Sequence, residues 1–273
     1  MKYTLRSKIM QSQVRKLLIV ATAWAALAGS ALADGLIFQL PPDGTWAKYS
    51  VTIEGESKLE GAPKIAVTGT LSISSVGEVT RSQQKCRWIE LKFENPTSKS
   101  YKKLVLKMLI PLDRLKRGED PLSHSILTFF DPKPTDEKRL ESFIDEGFNR
   151  IQYEIDRFRN YFPMPLENSK VLMREAVETA AGKFEDCEVV TGTYNYDGPI
   201  LGGARTVANS TCRIAIHHKA PFGVVSMQVK TDGREIHDEF VGSFTAITTL
   251  VLIETGTNAV SDMPEANEKK TIK

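Results

Sequence analysis

In the stretch IAVTGTLSISS, residues 65–75, the apolar or small residues Ile65, Val67, Gly69, Leu71 and Ile73 alternate with smaller or polar ones. A period of two places them on one side of an extended chain, whereas a helix would scatter them. The alternation returns in CRWIELKFE, where Ile89, Leu91 and Phe93 face one way and Trp88, Glu90 and Lys92 the other. Both segments read as half-buried antiparallel strands. In KKLVLKMLI, Leu104, Leu106, Met108 and Ile110 share one face while Val105 and Leu109 occupy the other, the pattern of a strand covered on both sides.

One segment follows a different period. From Asp136 to Phe162 the residues Leu140, Phe143, Ile144, Phe148, Ile151, Ile155, Phe158 and Phe162 recur at steps of three and four. That spacing predicts an amphipathic helix about 40 Å long, capped by Thr135 and stopped by Pro163 and Pro165. Glu154 puts a charge inside the stripe, most simply as a carboxylate reaching solvent at its rim.

The second half returns to strands. CEVVTGTYNY leads through the loop DGPILGGAR into TCRIAIHH, followed by GVVSMQVK and a final segment from Arg234 to Glu254. Asp232-Gly233 is a hairpin signal, and a tight turn there predicts Val229 opposite Ile236 and Val225 opposite Phe240. In HHKAPFGVV, Pro221 lacks a ladder donor and Gly223 permits a bend, so this stretch is expected to kink a strand and curve the sheet. Beyond Thr255 the chain is polar and patternless, which predicts a disordered tail over 255–273.

The N-terminus reads as an address label. Its first 16 residues carry five Lys or Arg and no acid, then comes the apolar LLIVATAWAALA and the small-residue pattern Ala31-Leu32-Ala33. A signal peptide over 1–33, cleaved after Ala33, is expected, and with it a periplasmic or extracellular protein. Without that leader the 36 basic residues fall to 31 against 34 acidic ones, so no basic surface for nucleic acid is implied. No later apolar run is long enough to span a bilayer.

Export governs how Cys86, Cys187 and Cys212 are read. In an oxidising compartment Cys187 and Cys212 flank a hairpin centred near Pro199 and Ile200 and could be bridged; three separate buried thiols are the alternative. No C-x-x-C spacing is present, and His217 and His218, as strand neighbours, should point to opposite faces, so no metal site is expected. The chain also lacks G-x-S-x-G, H-E-x-x-H and P-loop motifs, and DGPILGGAR has no helix after it to hold a phosphate. Neither a catalytic residue nor a cofactor is indicated, and a hydrolase is the least favoured reading.

VETAAGKFEDCEVV and KAPFGVVSMQV resemble the hairpin and the proline–bulky–glycine–valine opening of a later strand in bacterial secreted half-barrel proteins of the lipoprotein-carrier-like (LolA/LppX-like) fold and related domains of unknown function. The resemblance implies an α+β fold: a strongly curved antiparallel sheet over 34–254, with the 136–162 helix against its concave face. No ligand-binding residue carries over from that family by motif; the helical stripe itself offers Phe143, Phe148, Ile151, Glu154, Ile155 and Phe158 to line a site for a hydrophobic ligand, such as a lipid, an acyl chain or a lipid-modified protein. The rival expectation is a structural or protein-interaction module without a small ligand. An interior cavity would favour the first, an exposed apolar patch or open strand edge the second.

Overall fold

The computed structural model describes residues 36–58, 64–81, 83–96, 101–113, 125–134, 166–199, 205–236 and 241–263. Ten strands account for most of them: β1 (Trp46–Ser57), β2 (Ile65–Arg81), β3 (Gln84–Glu94), β4 (Tyr101–Pro111), β5 (Leu127–Pro134), β6 (Glu167–Thr179), β7 (Gly182–Pro199), β8 (Arg205–Ile216), β9 (Val224–Ile236) and β10 (Val241–Gly256). They form one antiparallel sheet in the order β5-β4-β3-β2-β1-β10-β9-β8-β7-β6. Two five-stranded meanders thus meet where β1 pairs with β10 at the middle of the sheet.

Register brings the apolar sides of the strands into rows. Ile73 stands opposite Leu91, which stands opposite Leu106; on the other side of β1, Leu250 faces Met227, which faces Ile214. These residues join one buried cluster with Tyr49, Val51 and Leu252, and the Tyr49 hydroxyl donates to the Val224 carbonyl at 3.2 Å. Burial of both faces of β4 from Val105 to Ile110 agrees with its unbroken apolar sequence.

The sheet coils. β6 returns to within 8 Å of β10, Cα to Cα, although three strands lie between them in the ladder; a flat sheet would hold them about 19 Å apart. Bulges at Ser75/Glu78, Lys48/Tyr49 and Ala215/Ile216 add local twist. Among the described residues no ladder joins β6 to β10 or to the opposite edge strand β5, so the sheet stays open.

Several expectations are corrected by this architecture. The described residues contain no helix, so the α+β class with a helix on a half-barrel's concave face gives way to an all-β open sheet. The stretch 136–162 connects the two edge strands in sequence and lies outside the described residues. Asp232-Gly233 is no turn but lies within β9, where Gly233 pairs with Phe244 and Val241 with Ile236. A Cβ at Gly233 would lie 2.3 Å from Phe244 Cζ, so a larger residue there needs that half-buried ring to move. HHKAPFGVV is a hairpin connection rather than a kink within a strand: β8 ends at Ile216, and β9 starts at Val224 directly opposite it.

The cysteine register shifts as well. β7 continues through Gly198 to Pro199, which pairs with Arg205, and an Arg205–Asp197 bidentate ion pair ties the two strands there. Gly192 therefore stands opposite Cys212, while Cys187 faces Glu175 on β6. The expected Cys187–Cys212 bridge is not formed: all three cysteines are buried, and none is in a disulfide.

Candidate functional site

Three places combine charge, burial or exposed apolar surface in ways the core does not require. The first is the β8–β9 connection. His217 N donates to the Gly223 carbonyl and Ala220 N to the His217 carbonyl, and Gly223, at φ 91°, takes the left-handed conformation that closes the loop. The N-terminal segment fastens it: Phe38 N donates to the Phe222 carbonyl, and Gln39 Nε2 to the carbonyls of His218 (3.0 Å) and Ala220 (2.7 Å). Because β8 has ended, the rings of His217 and His218 do not diverge as they would on a strand, and their centroids lie 4.4 Å apart. Burial, with His218 and Lys219 nearby, lowers the His217 pKa. His124 and His237 lie outside the described residues, among which no group of three or more His, Cys, Asp or Glu is arranged to hold a metal ion.

The second place is the face of β3 and β4 opposite the core. Glu90 and Lys107 stand opposite each other across the ladder, 3% and 6% exposed. Over them runs the segment that follows β10. Ala259 N donates to the Gly44 carbonyl, after which Ser261 reaches the pair. Lys107 Nζ donates to Ser261 Oγ (2.8 Å) and to the Met263 carbonyl (2.9 Å); Ser261 Oγ donates to Glu90 Oε2 (2.6 Å), and Asp262 N to Glu90 Oε1 (3.0 Å). Asp262 Oδ2 lies 3.0 Å from Lys92 Nζ and 2.9 Å from Lys103 Nζ. Lys107 Nζ also sits 5.3 Å from the centre of the Trp88 ring, within cation–π range.

The electrostatics follow from that placement. Burial pushes the Lys107 pKa down, partly opposed by Glu90. Burial alone would raise the Asp262 pKa, but hydrogen bonds from Lys103 and Lys92 outweigh it and hold the carboxyl below its ordinary value. Lys92 moves up, its own burial outweighed by Asp262, Glu94 and Glu90. Sequence reasoning passed over this cluster, although a lysine at 107 inside a strand covered on both faces was a signal that something polar must meet it.

The third place is the β6 edge. Val171, Leu172 and Met173 are 46%, 46% and 53% exposed. The register with β7 shifts between Val171 and Met173, so Leu172 is an extra residue in a bulge, which interrupts the alternation of faces. At the opposite edge, β5 carries Pro132 and Pro134, which supply no backbone donors; β6 contains no proline.

Phe143, Phe148, Ile151, Glu154, Ile155 and Phe158 lie outside the described residues. No helix among the described residues is long and apolar enough to cross a membrane.

No protein family matches the chain, and no curated protein matches it. Among solved structures it is similar to a candidate lipoprotein of Parabacteroides distasonis, at 14% identity and a TM-score of 0.34 over 81% of this chain and 98% of that one. A candidate exported protein of Bacteroides fragilis with a YmcC-like fold gives 10% identity and a TM-score of 0.35, over 81% and 99%. Lipovitellin, in a structure of its lipid–protein interactions, gives 10% and 0.34, covering 83% of this chain but 26% of that one. Likeness at this level assigns neither a family nor an activity, and it does not single out the lipoprotein carriers.

Proposed function

We propose that the chain is an exported, non-enzymatic cell-envelope protein that acts by contact with other proteins, and that β6 receives the partner. The observation that carries this reading is the exposed Val171–Leu172–Met173 triplet on an edge strand free of proline. Exposed apolar residues at an open sheet edge are the feature expected of an assembly surface. Exposed Lys170 precedes the triplet, and Arg174 after it is paired with Glu188 at 4.0 Å, so the partner that fits is a short extended segment with apolar side chains and a carboxylate to meet Lys170. Export rests on the basic-then-apolar leader over 1–33, whose removal after Ala33 would leave the protein in the periplasm or outside the cell.

The test is a photo-crosslinking amino acid placed at position 173 and activated in intact cells. Discrete protein adducts, weakened when Leu172 is changed to Lys, are expected. Adducts to lipid alone, together with a lipid that stays bound in native mass spectrometry, would instead favour the apolar-ligand reading and overturn this one.

A further inference from the structure

The β3–β4 cluster carries an inference independent of β6. Glu90 and Lys107 are two ionisable groups withdrawn from water on the face of the sheet turned away from the core. Such burial is costly, and apolar residues of similar size would serve at least as well if covering the strands were all that was needed. Their hydrogen-bond partners come from three consecutive residues near the chain's end, well past the last ladder residue.

The contacts also read sequence. Glu90 accepts from the Ser261 hydroxyl and the Asp262 amide; Lys107 donates to the same hydroxyl and to the Met263 carbonyl; Lys92 and Lys103 converge on the Asp262 carboxylate. A backbone amide, a backbone carbonyl, a hydroxyl and a carboxylate are each met by a complementary group. That is how a receptor holds a peptide ligand, with buried charges enforcing the match because a wrong partner leaves one of them unpaired.

We propose that this face of β3 and β4 is a recognition site for a short acidic peptide of the serine–aspartate type, occupied in the resting chain by its own residues 261–263. The tethered segment is a built-in competitor present at an effective concentration on the order of millimolar. A free peptide gains access when that segment is displaced or lost. Lys92 and Lys103 select the carboxylate, and Glu90 with Lys107 selects the serine and the backbone around it.

The probe is a fluorescent peptide of sequence NAVSDMPE, residues 258–265, and the receptor is the full chain carrying Ser261→Ala and Asp262→Lys, which disable its own segment. Saturable binding is expected, at least tenfold tighter than to the unaltered chain. It should fall at least tenfold when the peptide's aspartate is replaced by asparagine, and vanish when Lys103→Glu is added to the receptor. Equal binding of the aspartate and asparagine peptides, or no saturable binding by a receptor with an unaltered near-ultraviolet circular dichroism spectrum, overturns the proposal. If the altered receptor does not fold, hydrogen exchange on the unaltered chain decides. Excess free peptide should speed exchange of the amides of residues 259–263 at least threefold; no change, or the same release by inorganic phosphate, refutes peptide recognition.

Discussion

Asp262 shows how one side chain can set the conditions under which a segment stays docked. Its carboxyl is held below the ordinary value of 3.8, and Lys92, which shares that carboxylate with Lys103, is raised above 10.5. A carboxyl whose folded pKa is depressed contributes stability above the unfolded value and loses it as pH falls through the folded one. A lysine whose folded pKa is raised contributes below the unfolded value and loses it as pH rises through the folded one. The advantage of the unaltered chain over Asp262→Asn should therefore be level between about pH 5 and 9, on the order of 1 kcal/mol for partly exposed bridges. It should shrink below the carboxylate range and again above the lysine range. Urea unfolding of both chains across pH checks this, and His217, whose lowered pKa acts in both, cancels in the difference. Nothing in the local sequence announced this residue: Ser261-Asp262 lies in a polar stretch, and its meaning comes from lysines more than 150 positions away.

Among the elements, the strands with plain alternation were legible. Leu71 and Ile73 of β2, and Ile89 and Leu91 of β3, are buried on the core face as their spacing requires, and Lys92 lies on the other face. Punctuation residues misled. Asp-Gly has the composition of a tight turn, but local propensity carries no knowledge of an aromatic ring on the next strand. At Gly233 the Phe244 ring lies over the glycine, and the ladders to β8 and β10 run straight through the pair. Gly233→Val should thus destabilise by about 1 kcal/mol, the cost of displacing the half-buried Phe244 ring, despite valine's better strand propensity. Combined with Phe244→Ala it should cost less than the two single changes together, a coupling that thermal or urea unfolding of the four chains will measure. Additive costs would show that the ring does not occupy the glycine's place. Proline-phenylalanine-glycine misleads for the opposite reason: its strand-like flanks suggest a bend inside one strand, but its hydrogen bonds close a hairpin. The β6 edge was the hardest to read, since its bulges break the period of two on which strand recognition rests.

For the molecule as a whole, a single ladder joins the two meanders into one sheet. Trp46 pairs with Gly256 and Ser57 with Phe244, so the first and last strands share the centre of the sheet. Ending the chain at residue 240 should consequently leave β1 and β9 as raw edges, and the protein should elute as soluble aggregate in size-exclusion chromatography rather than as a smaller folded monomer. A monomer with a cooperative unfolding transition would show that the meanders are self-sufficient. The same ladder sets a timetable. A chain synthesised from its N-terminus at about 5–20 residues per second exposes β1 on the order of 10–40 s before its second partner is made. During that interval the first meander presents an unmatched flank to every other nascent chain nearby. A protein with this connectivity is thus most vulnerable while it is being made, and a holding chaperone that shields β1 would be expected to raise its yield more than any gain in the stability of the finished sheet.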